Sequence, residues 1–223
     1  MTADFRLVLA FRHYWRPGTG RGSGSHVDAL AETDRFGCPF ISGRMLKGVL
    51  RDAVFRLMTW GGPGHSGPDL SAERIVEILF GSWGFTGDRP RDQTRPGVIR
   101  VGDAVLEEPT RRWLANHPEY RQGLFRDIYT TAIDPERGVA RQGSLRGEQV
   151  VVPMELVAPL HRIPLAELFP AREALEEEIW VANNSETIIG NALPLIRNIG
   201  AGRSRGLGRV ELKLKNDPGE AAQ

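Results

Sequence analysis

The 223-residue chain contains a single cysteine, Cys38. One cysteine excludes an internal disulfide framework and a zinc site built from several cysteines, so we interpret Cys38 as a small turn residue rather than a nucleophile. Apolar runs fall well short of the roughly 20 residues needed to span a bilayer. Residues 1–4 lack the basic and then apolar pattern of a signal peptide. These absences predict a cytoplasmic protein that does not contact a membrane.

The chain also has little net charge, since 29 Lys and Arg residues oppose 28 Asp and Glu residues to give +1. A near-neutral total argues against a general polycation. The distribution is uneven, however, because residues 197–215 contain six cations and only one acid, Glu211. A neutral protein with local basic surfaces is suited to holding one polyanion along a defined track.

Residues 43–60 are predicted to form an amphipathic helix that follows a Gly/Pro turn and is capped by Ser42. Arg44, Lys47 and Arg51 have the spacing i, i+3 and i+7, which puts the three cations on one helical face. The opposite face is apolar and is expected to be buried: Met45, Leu46, Val49, Leu50, Ala53, Val54, Leu57 and Met58. Open backbone N–H groups at the helix start, beside these cations, predict a surface that binds phosphate.

Apolar and polar residues alternate over residues 5–12, which predicts a half-buried strand. Other strands are predicted at residues 98–106, 150–157 and 210–214. Further helices are predicted at residues 72–80, 165–181 and 186–198, and an extended hairpin at residues 129–149 with its turn near 135–138. This order fits an α+β domain with helices on one face of an antiparallel sheet, in a ferredoxin-like arrangement.

Two prolines modify this pattern. Pro153 indicates that the strand at residues 150–157 lies at a sheet edge or carries a bulge. Pro170 is expected to interrupt the helical segment at residues 165–181, which is rich in glutamate and is interpreted as an acidic surface.

A glycine-rich loop near the C-terminus carries three arginines, Arg203, Arg205 and Arg209. A helix precedes this loop and a strand follows it, which is the reverse of a Rossmann fingerprint, and no Lys-Ser or Lys-Thr pair follows the glycines as in a P-loop. Gly202 and Gly206 would let the backbone approach a phosphate or a ribose closely. A simple tight connection between helix and strand is the alternative. Aromatic residues are sparse in the presumed binding segments, Tyr14 and Trp15 excepted, which favours phosphate and ribose contacts over base stacking.

These segments resemble motifs of the RAMP superfamily, the RNA-binding subunits of CRISPR effector complexes. Residues 37–51 are similar to the signature G-x-P-x-I-P-G-S-S-L-K-G-x-L-R, although Ser42 replaces the usual proline and Arg44 and Met45 replace Ser-Ser or Ser-Thr. The C-terminal loop resembles the family's G-x-x-R-x-R-G-x-G-x-V. A third element of type III backbone subunits, L-F-G followed by R-x-x-D-A, is similar to residues 80–82 and 100–104, where we expect Asp103 to be structural.

The resemblance implies a backbone subunit of a type III CRISPR effector complex. Such a subunit would bind guide RNA in several copies along a filament, together with other effector subunits and the target RNA. The residues implied in RNA binding are Ser42, Arg44, Lys47, Arg51, Arg141, Gly202, Arg203, Arg205, Gly206 and Arg209.

The resemblance also implies a nuclease residue. Asp28 lies eleven residues before Pro39, which matches the loop aspartate that type III backbone subunits need to cut target RNA with a divalent metal. Asp28 would act as a base or as a ligand of transiently bound Mg²⁺ or Mn²⁺ while the RNA 2′-hydroxyl attacks. His26 is a weaker candidate, as a proton carrier, and Asp34 matches a non-catalytic aspartate. The alternative is that Asp28 only caps the loop.

The hairpin has a counterpart in the same family, a thumb-like insertion here placed at about residues 126–150. It would wedge an apolar residue into the guide–target duplex while arginines hold the phosphates; an ordinary surface hairpin is the alternative. The prediction is therefore one RAMP domain over residues 1–216 and a disordered tail at 217–223. Two other functions stay open, a non-catalytic scaffold or capping subunit and an endoribonuclease that processes guide RNA.

Overall fold

A computed structural model describes residues 4–18, 29–61, 68–82 and 95–216. Six strands lie in these ranges: β1 (Asp4–Phe11), β2 (Ile99–Val101), β3 (Phe125–Thr130), β4 (Arg146–Val151), β5 (Glu155–Arg162) and β6 (Val210–Asn216). The helices described there are α1 (Gly43–Thr59), α2 (Ala72–Phe80), α3 (Glu108–Asn116), α4 (Leu165–Leu168), α5 (Glu176–Asn183) and α6 (Ser185–Ala192).

The main sheet has the strand order β2-β5-β1-β6, and every neighbouring pair is antiparallel. The sequence β1, α1, β2, β5, α6, β6 is the βαββαβ order of the ferredoxin-like fold. The predicted α+β architecture is therefore confirmed. Strands β3 and β4 form a separate two-stranded hairpin, inserted between β2 and β5.

The predicted alternation of β1 separates the two faces of the sheet. One face is buried in the core and carries Phe5, Leu7, Leu9 and Phe11. Leu7 lies between Ala158 of β5 and Leu214 of β6, so the apolar sides of three strands coincide. The opposite face carries exposed Arg6, which is paired in register with exposed Lys215. Helix α1 packs on the apolar side of the sheet. Six of the eight apolar residues predicted on its core face are buried, whereas Met45 and Val49 are only partly buried and line a surface cavity.

Two predicted strands are shorter than expected. The strand predicted at residues 98–106 is limited to β2, because after Val101 only isolated bridges continue, from Ala104 to Ile41 and from Val105 to Val157. The strand predicted at residues 150–157 is two strands. The chain leaves the hairpin after β4, passes Pro153 and enters the main sheet at β5. An edge or a bulge was predicted at Pro153, whereas in the structure one strand ends before Pro153 and the next begins after it in a different sheet.

The helical predictions are confirmed at Pro170 and need correction in two other places. The segment at residues 165–181 is split into α4 and α5, and the predicted interruption at Pro170 lies between them. The helix predicted at residues 186–198 ends at Ala192 and continues only as a 3₁₀ turn over Leu193–Leu195, because Pro194 cannot donate a backbone hydrogen bond. Helix α3 and the 3₁₀ helix at Pro118–Leu124 were not predicted.

The glutamate-rich segment is not wholly a surface, because Glu178 is only 1% exposed. Its carboxylate accepts hydrogen bonds from Arg172 at 2.7 and 2.9 Å and from the backbone N–H of Leu175 at 2.9 Å. Arg74 of α2 lies 3.7 Å from the same carboxylate and also forms an ion pair with Glu177. Charged groups therefore connect α2 to α5 beneath the surface.

Replacing Glu178 with Gln is expected to lower the free energy of unfolding by about 2 kcal/mol, because two arginines lose a buried partner. Burial alone would raise the pKa of Glu178, but the hydrogen bonds from Arg172 and Leu175 outweigh it and hold the pKa below the usual 4.5. This stabilisation is therefore complete above pH 4.5 and is lost as the pH falls through the lower pKa of the folded state.

Urea unfolding of the wild type and the variant, at neutral and at acidic pH, measures this difference. Glu176→Gln is the matched control, since Glu176 is an exposed carboxylate in the same helical turn. A Glu178→Gln variant that is as stable as the control at neutral pH would contradict the structural role.

Candidate nucleic-acid interface

The start of α1 is capped by the protein's own side chains. The Ser42 hydroxyl accepts a hydrogen bond from the N–H of Met45 at 3.4 Å, which is the predicted cap. The carboxylate of Asp103 accepts a second one from the N–H of Gly43 at 2.7 Å, so Asp103 is structural as expected. Two of the N–H groups that were predicted to attract phosphate are therefore already satisfied. Any anion binding at this helix would therefore depend mainly on its side chains.

Three of the predicted cations meet at one cavity. Arg44, Lys47 and Arg51 line a cavity of about 330 Å³ together with Arg95, which comes from the segment after α2. Among the residues that the structure describes, no acidic side chain lines this cavity. The rest of the described lining is Gly48 of α1, Pro96, and Phe80, Gly81 and Ser82 at the end of α2. We call this space the first basic cavity.

Arg51 and Lys47 lie close together and are partly withdrawn from water. Burial lowers the pKa of Arg51, and burial followed by the nearby charge of Arg51 lowers the pKa of Lys47. One terminal nitrogen of Arg51 donates to the carbonyl oxygens of Phe80 at 2.7 Å and Gly81 at 2.9 Å. Arg51 thus also connects α1 to the end of α2. An anion in the cavity would offset the repulsion between these cations.

A second basic cavity of about 830 Å³ lies between α1 and the segment at residues 195–204. Arg56, Arg197 and Arg203 line it, together with one carboxylate, Asp52, which forms an ion pair of 3.0 Å with Arg56. Gly48 of α1 lines both the first and the second basic cavity. The cations of α1 and Arg203 of the C-terminal loop therefore lie on either side of the same stretch of α1.

The glycine-rich loop is held by backbone hydrogen bonds to the segment after β1. The N–H of Ala201 donates to the carbonyl of Arg16, and the N–H of Gly208 donates to the carbonyl of Tyr14, both at 2.8 Å. Within the loop, a 3₁₀ turn over Arg203–Arg205 is flanked by Gly202 and Gly206, whose φ angles of 72° and 83° favour glycine. The two glycines therefore shape the turn that presents the arginines.

The other predicted arginines lie elsewhere. Arg205 reaches Glu148 of β4 at 3.4 Å, and Arg16 reaches the same carboxylate at 3.7 Å. Arg209 lines a third cavity of about 670 Å³ beside β6, which shares Ile196, Arg197 and Asn198 with the second basic cavity. Arg141 is exposed beyond the end of the hairpin strands. The structure thus brings Arg44, Lys47 and Arg51 together and borders them with Arg203, but it does not gather all the predicted residues at one site.

Asp28 and His26 lie outside the described residues, as do residues 217–223. The chain on either side of Asp28 and His26 is described, however. Gly18 pairs with Ala31, and the carbonyl of Ala29 accepts a hydrogen bond of 2.9 Å from the N–H of Gln149 in β4. Within the described ranges, no group of three His, Cys, Asp or Glu residues is placed to hold a metal ion. The predicted metal site at Asp28 therefore stays a prediction.

Asp34 has a structural role that agrees with its interpretation as non-catalytic. Its carboxylate accepts hydrogen bonds from the N–H groups of Phe36 at 2.8 Å and Cys38 at 3.0 Å. Its other oxygen accepts from Arg111 of α3 at 2.8 Å. These contacts organise the turn that leads to α1, and Cys38 is buried in that turn as a free thiol.

The hairpin forms with the turn that was predicted. The carboxylate of Asp134 accepts hydrogen bonds from the N–H groups of Glu136 at 2.9 Å and Arg137 at 3.2 Å. Four large apolar side chains of the hairpin are more than half exposed: Tyr129, Ile133, Val139 and Leu145. The hairpin therefore projects apolar groups and Arg141 into solvent, and its role as a wedge stays a prediction.

Trp15, which was named with Tyr14 as an exception to the sparse aromatic residues of the binding segments, belongs to the core, and part of the basic surface was not predicted. Trp15 is fully buried, stacks on Phe11 with 4.3 Å between ring centroids, and donates to the carbonyl of Val152. Arg56 lines the second basic cavity. Its helical spacing puts it on the same face of α1 as Gly48 and Asp52, so the sequence could have indicated its place there. Arg95 had no such signal, because it comes from a polar loop.

Comparisons with known proteins show the family of the chain and solved structures with a similar fold. The model of the RAMP superfamily matches residues 12–211. A chain in a cryo-EM structure of the type III-B Cmr-beta complex bound to cognate target RNA has a TM-score of 0.63 and 12% identity, covering 95% of this chain and 96% of that one. A chain in the apo state of Cmr-beta has a TM-score of 0.60 and 13% identity, covering 95% and 97%. No curated protein sequence is significantly similar. In the described parts of the chain, no helix is long and apolar enough to cross a membrane.

Proposed function

Because the chain belongs to the RAMP superfamily, we propose that it is a guide-RNA-binding subunit of a type III CRISPR ribonucleoprotein complex. The observation that carries this proposal is the first basic cavity, where Arg44, Lys47, Arg51 and Arg95 converge. The type III assignment is supported by likeness of fold to a chain of a type III-B complex bound to target RNA. The partners we propose are guide RNA, target RNA, other effector subunits and further copies of the chain, in the cytoplasm.

The mode of RNA binding that we propose is recognition of the sugar–phosphate backbone. Cations that are partly withdrawn from water attract phosphate and are insensitive to base sequence. Base stacking would need exposed aromatic rings beside the cations. Trp15 is in the core, and the aromatic residue among the described lining of the first basic cavity is Phe80, which is buried. The exposed ring of Trp60 lies beside Arg56 of the second cavity rather than in the described lining of the first. A subunit that binds guide RNAs of any sequence needs contacts to the sugar–phosphate backbone, which is the same in all of them.

The activity that we propose is metal-dependent cleavage of bound target RNA through Asp28. Support comes from the chain next to it, because Ala29 is hydrogen-bonded to β4 at the base of the hairpin. Arg205 of the glycine-rich loop reaches the same strand at Glu148. A target strand held near this base would lie close to the residue that follows Asp28. Asp28 would act there as a base or as a ligand of Mg²⁺ or Mn²⁺, which offsets negative charge at the phosphate, and His26 would carry a proton.

Lys47→Ala is expected to weaken the affinity for single-stranded RNA about tenfold at low salt, because one charge-assisted contact is lost. It should also reduce the slope of log K against log salt concentration by about 0.7, the value for one phosphate of a single strand. Fluorescence anisotropy with a labelled RNA, measured over a series of salt concentrations, tests both. Arg51 is not suitable for this test because it also holds the end of α2.

The matched control is Lys215→Ala, which removes the same charge from the open face of the sheet. It should leave the affinity and the slope close to wild type. Equal losses in the two variants would show general attraction to a basic protein, and no loss at Lys47 would refute the proposed RNA surface.

Asp28→Asn is expected to abolish cleavage of target RNA by the assembled complex in Mg²⁺ or Mn²⁺ while target binding persists. Carboxamide is neither a base nor a good ligand for these ions. Gel analysis of labelled target RNA should show cuts at regular spacing with the wild type only. If neither complex cuts, the chain is a scaffold, and specific cutting of repeat-containing precursor RNA by the isolated chain would instead identify a guide-processing endoribonuclease.

A further inference from the structure

Gly48 occupies a position that the fold itself does not require to be glycine. It lies in the interior of α1 and is exposed, and glycine is less favourable than alanine inside a helix. A Cβ atom built at Gly48 would have no neighbour within 4 Å among the described residues. Gly43 in the same helix differs, because a Cβ there would collide with the backbone of Val101 and Gly102. Packing thus explains Gly43 but leaves Gly48 unexplained.

The surroundings of Gly48 suggest what the missing side chain leaves room for. Gly48 is the residue that the two basic cavities share. Lys47 and Arg51 lie on one side of it, in the first basic cavity, and Arg203 lies on the other side, in the second. The bare backbone at this one residue therefore lies between the cations of the first basic cavity and Arg197 and Arg203 of the second, which also contains the Arg56–Asp52 ion pair.

We infer that one sugar–phosphate backbone crosses α1 at Gly48, with phosphates in both basic cavities and a ribose against the bare helix. This inference rests on the proposed RNA-binding function. It adds an RNA contact at Gly48, a residue that carries no charge. Glycine allows such close approach because it has no Cβ. Any larger side chain at this position would stand between the two cavities and hold the strand away from the cations on at least one side.

Gly190 provides a matched control. It lies inside α6, has no neighbour within 4 Å of a Cβ built on it, and lines neither of the two basic cavities. Gly48→Ala and Gly190→Ala should each raise the melting temperature by about 2–4 °C, because alanine favours the helix in both places. The two substitutions should differ only in their effect on RNA.

The experiment compares Gly48→Ala, Gly48→Leu and Gly190→Ala in the full chain, with a fluorescein-labelled single-stranded RNA and a series of salt concentrations. Affinity should fall several-fold for Gly48→Ala and at least about tenfold for Gly48→Leu, which corresponds to one lost contact. Affinity should be unchanged for Gly190→Ala. Because Leu at this position would hold phosphates away from the cations on one side, the salt slope of Gly48→Leu should fall as that of Lys47→Ala does, whereas the slope of Gly190→Ala should equal that of the wild type.

Wild-type affinity in Gly48→Leu, combined with weakened binding by Lys47→Ala, would overturn the crossing point and leave the proposed function standing. An affinity loss accompanied by a lower melting temperature in Gly48→Ala would also overturn it, since the residue would then support the fold. If the wild type does not bind RNA, or Lys47→Ala has no effect, the proposed function fails and the inference fails with it.

Discussion

Burial of one face of α1 determines where the cations of this protein lie. Leu46, Leu50 and Val54 are fully buried. Because their burial fixes the orientation of α1 about its axis, Arg44, Lys47 and Arg51 face the first basic cavity. The hydrogen bond from Gly43 to Asp103 places the start of this helix. The basic surface is therefore a consequence of packing, and the hydrophobic effect positions charges that would otherwise repel each other.

A second set of contacts brings distant segments together at the base of the hairpin. The glycine-rich loop is hydrogen-bonded to the segment after β1, and Ala29 is hydrogen-bonded to β4. Glu148 of β4 lies within reach of Arg16 and Arg205. The Arg205 side chain is 58% exposed, so its contact with Glu148 contributes modestly, whereas Arg16 and Glu148 are largely buried. These contacts matter because they hold Arg205 of the glycine-rich loop next to β4, the strand to which Ala29 is hydrogen-bonded.

Much of the fold could be predicted because its signals are local. The Ser42 cap, the alternation of β1 and the amphipathic pattern of α1 each depend on residues a few positions apart. The break between β4 and β5 could not be predicted in the same way, because it depends on which distant strands each half pairs with. Burial of Glu178 depends on Arg74 in another helix. The motif cations were predicted, but Arg95 joins them only through tertiary structure, and Asp28 lies outside the described residues.

Photo-crosslinking of guide RNA within the assembled complex tests the central claim, that the RNA backbone lies along α1, most directly. Guide RNA containing 4-thiouridine would be irradiated in the complex, and the attached peptides of this chain identified by mass spectrometry. Crosslinks are predicted in α1 between residues 44 and 56 and in the segment at residues 195–204, which together border the two basic cavities. Crosslinks confined to the open face of the sheet, around Arg6 and Lys215, would contradict the account.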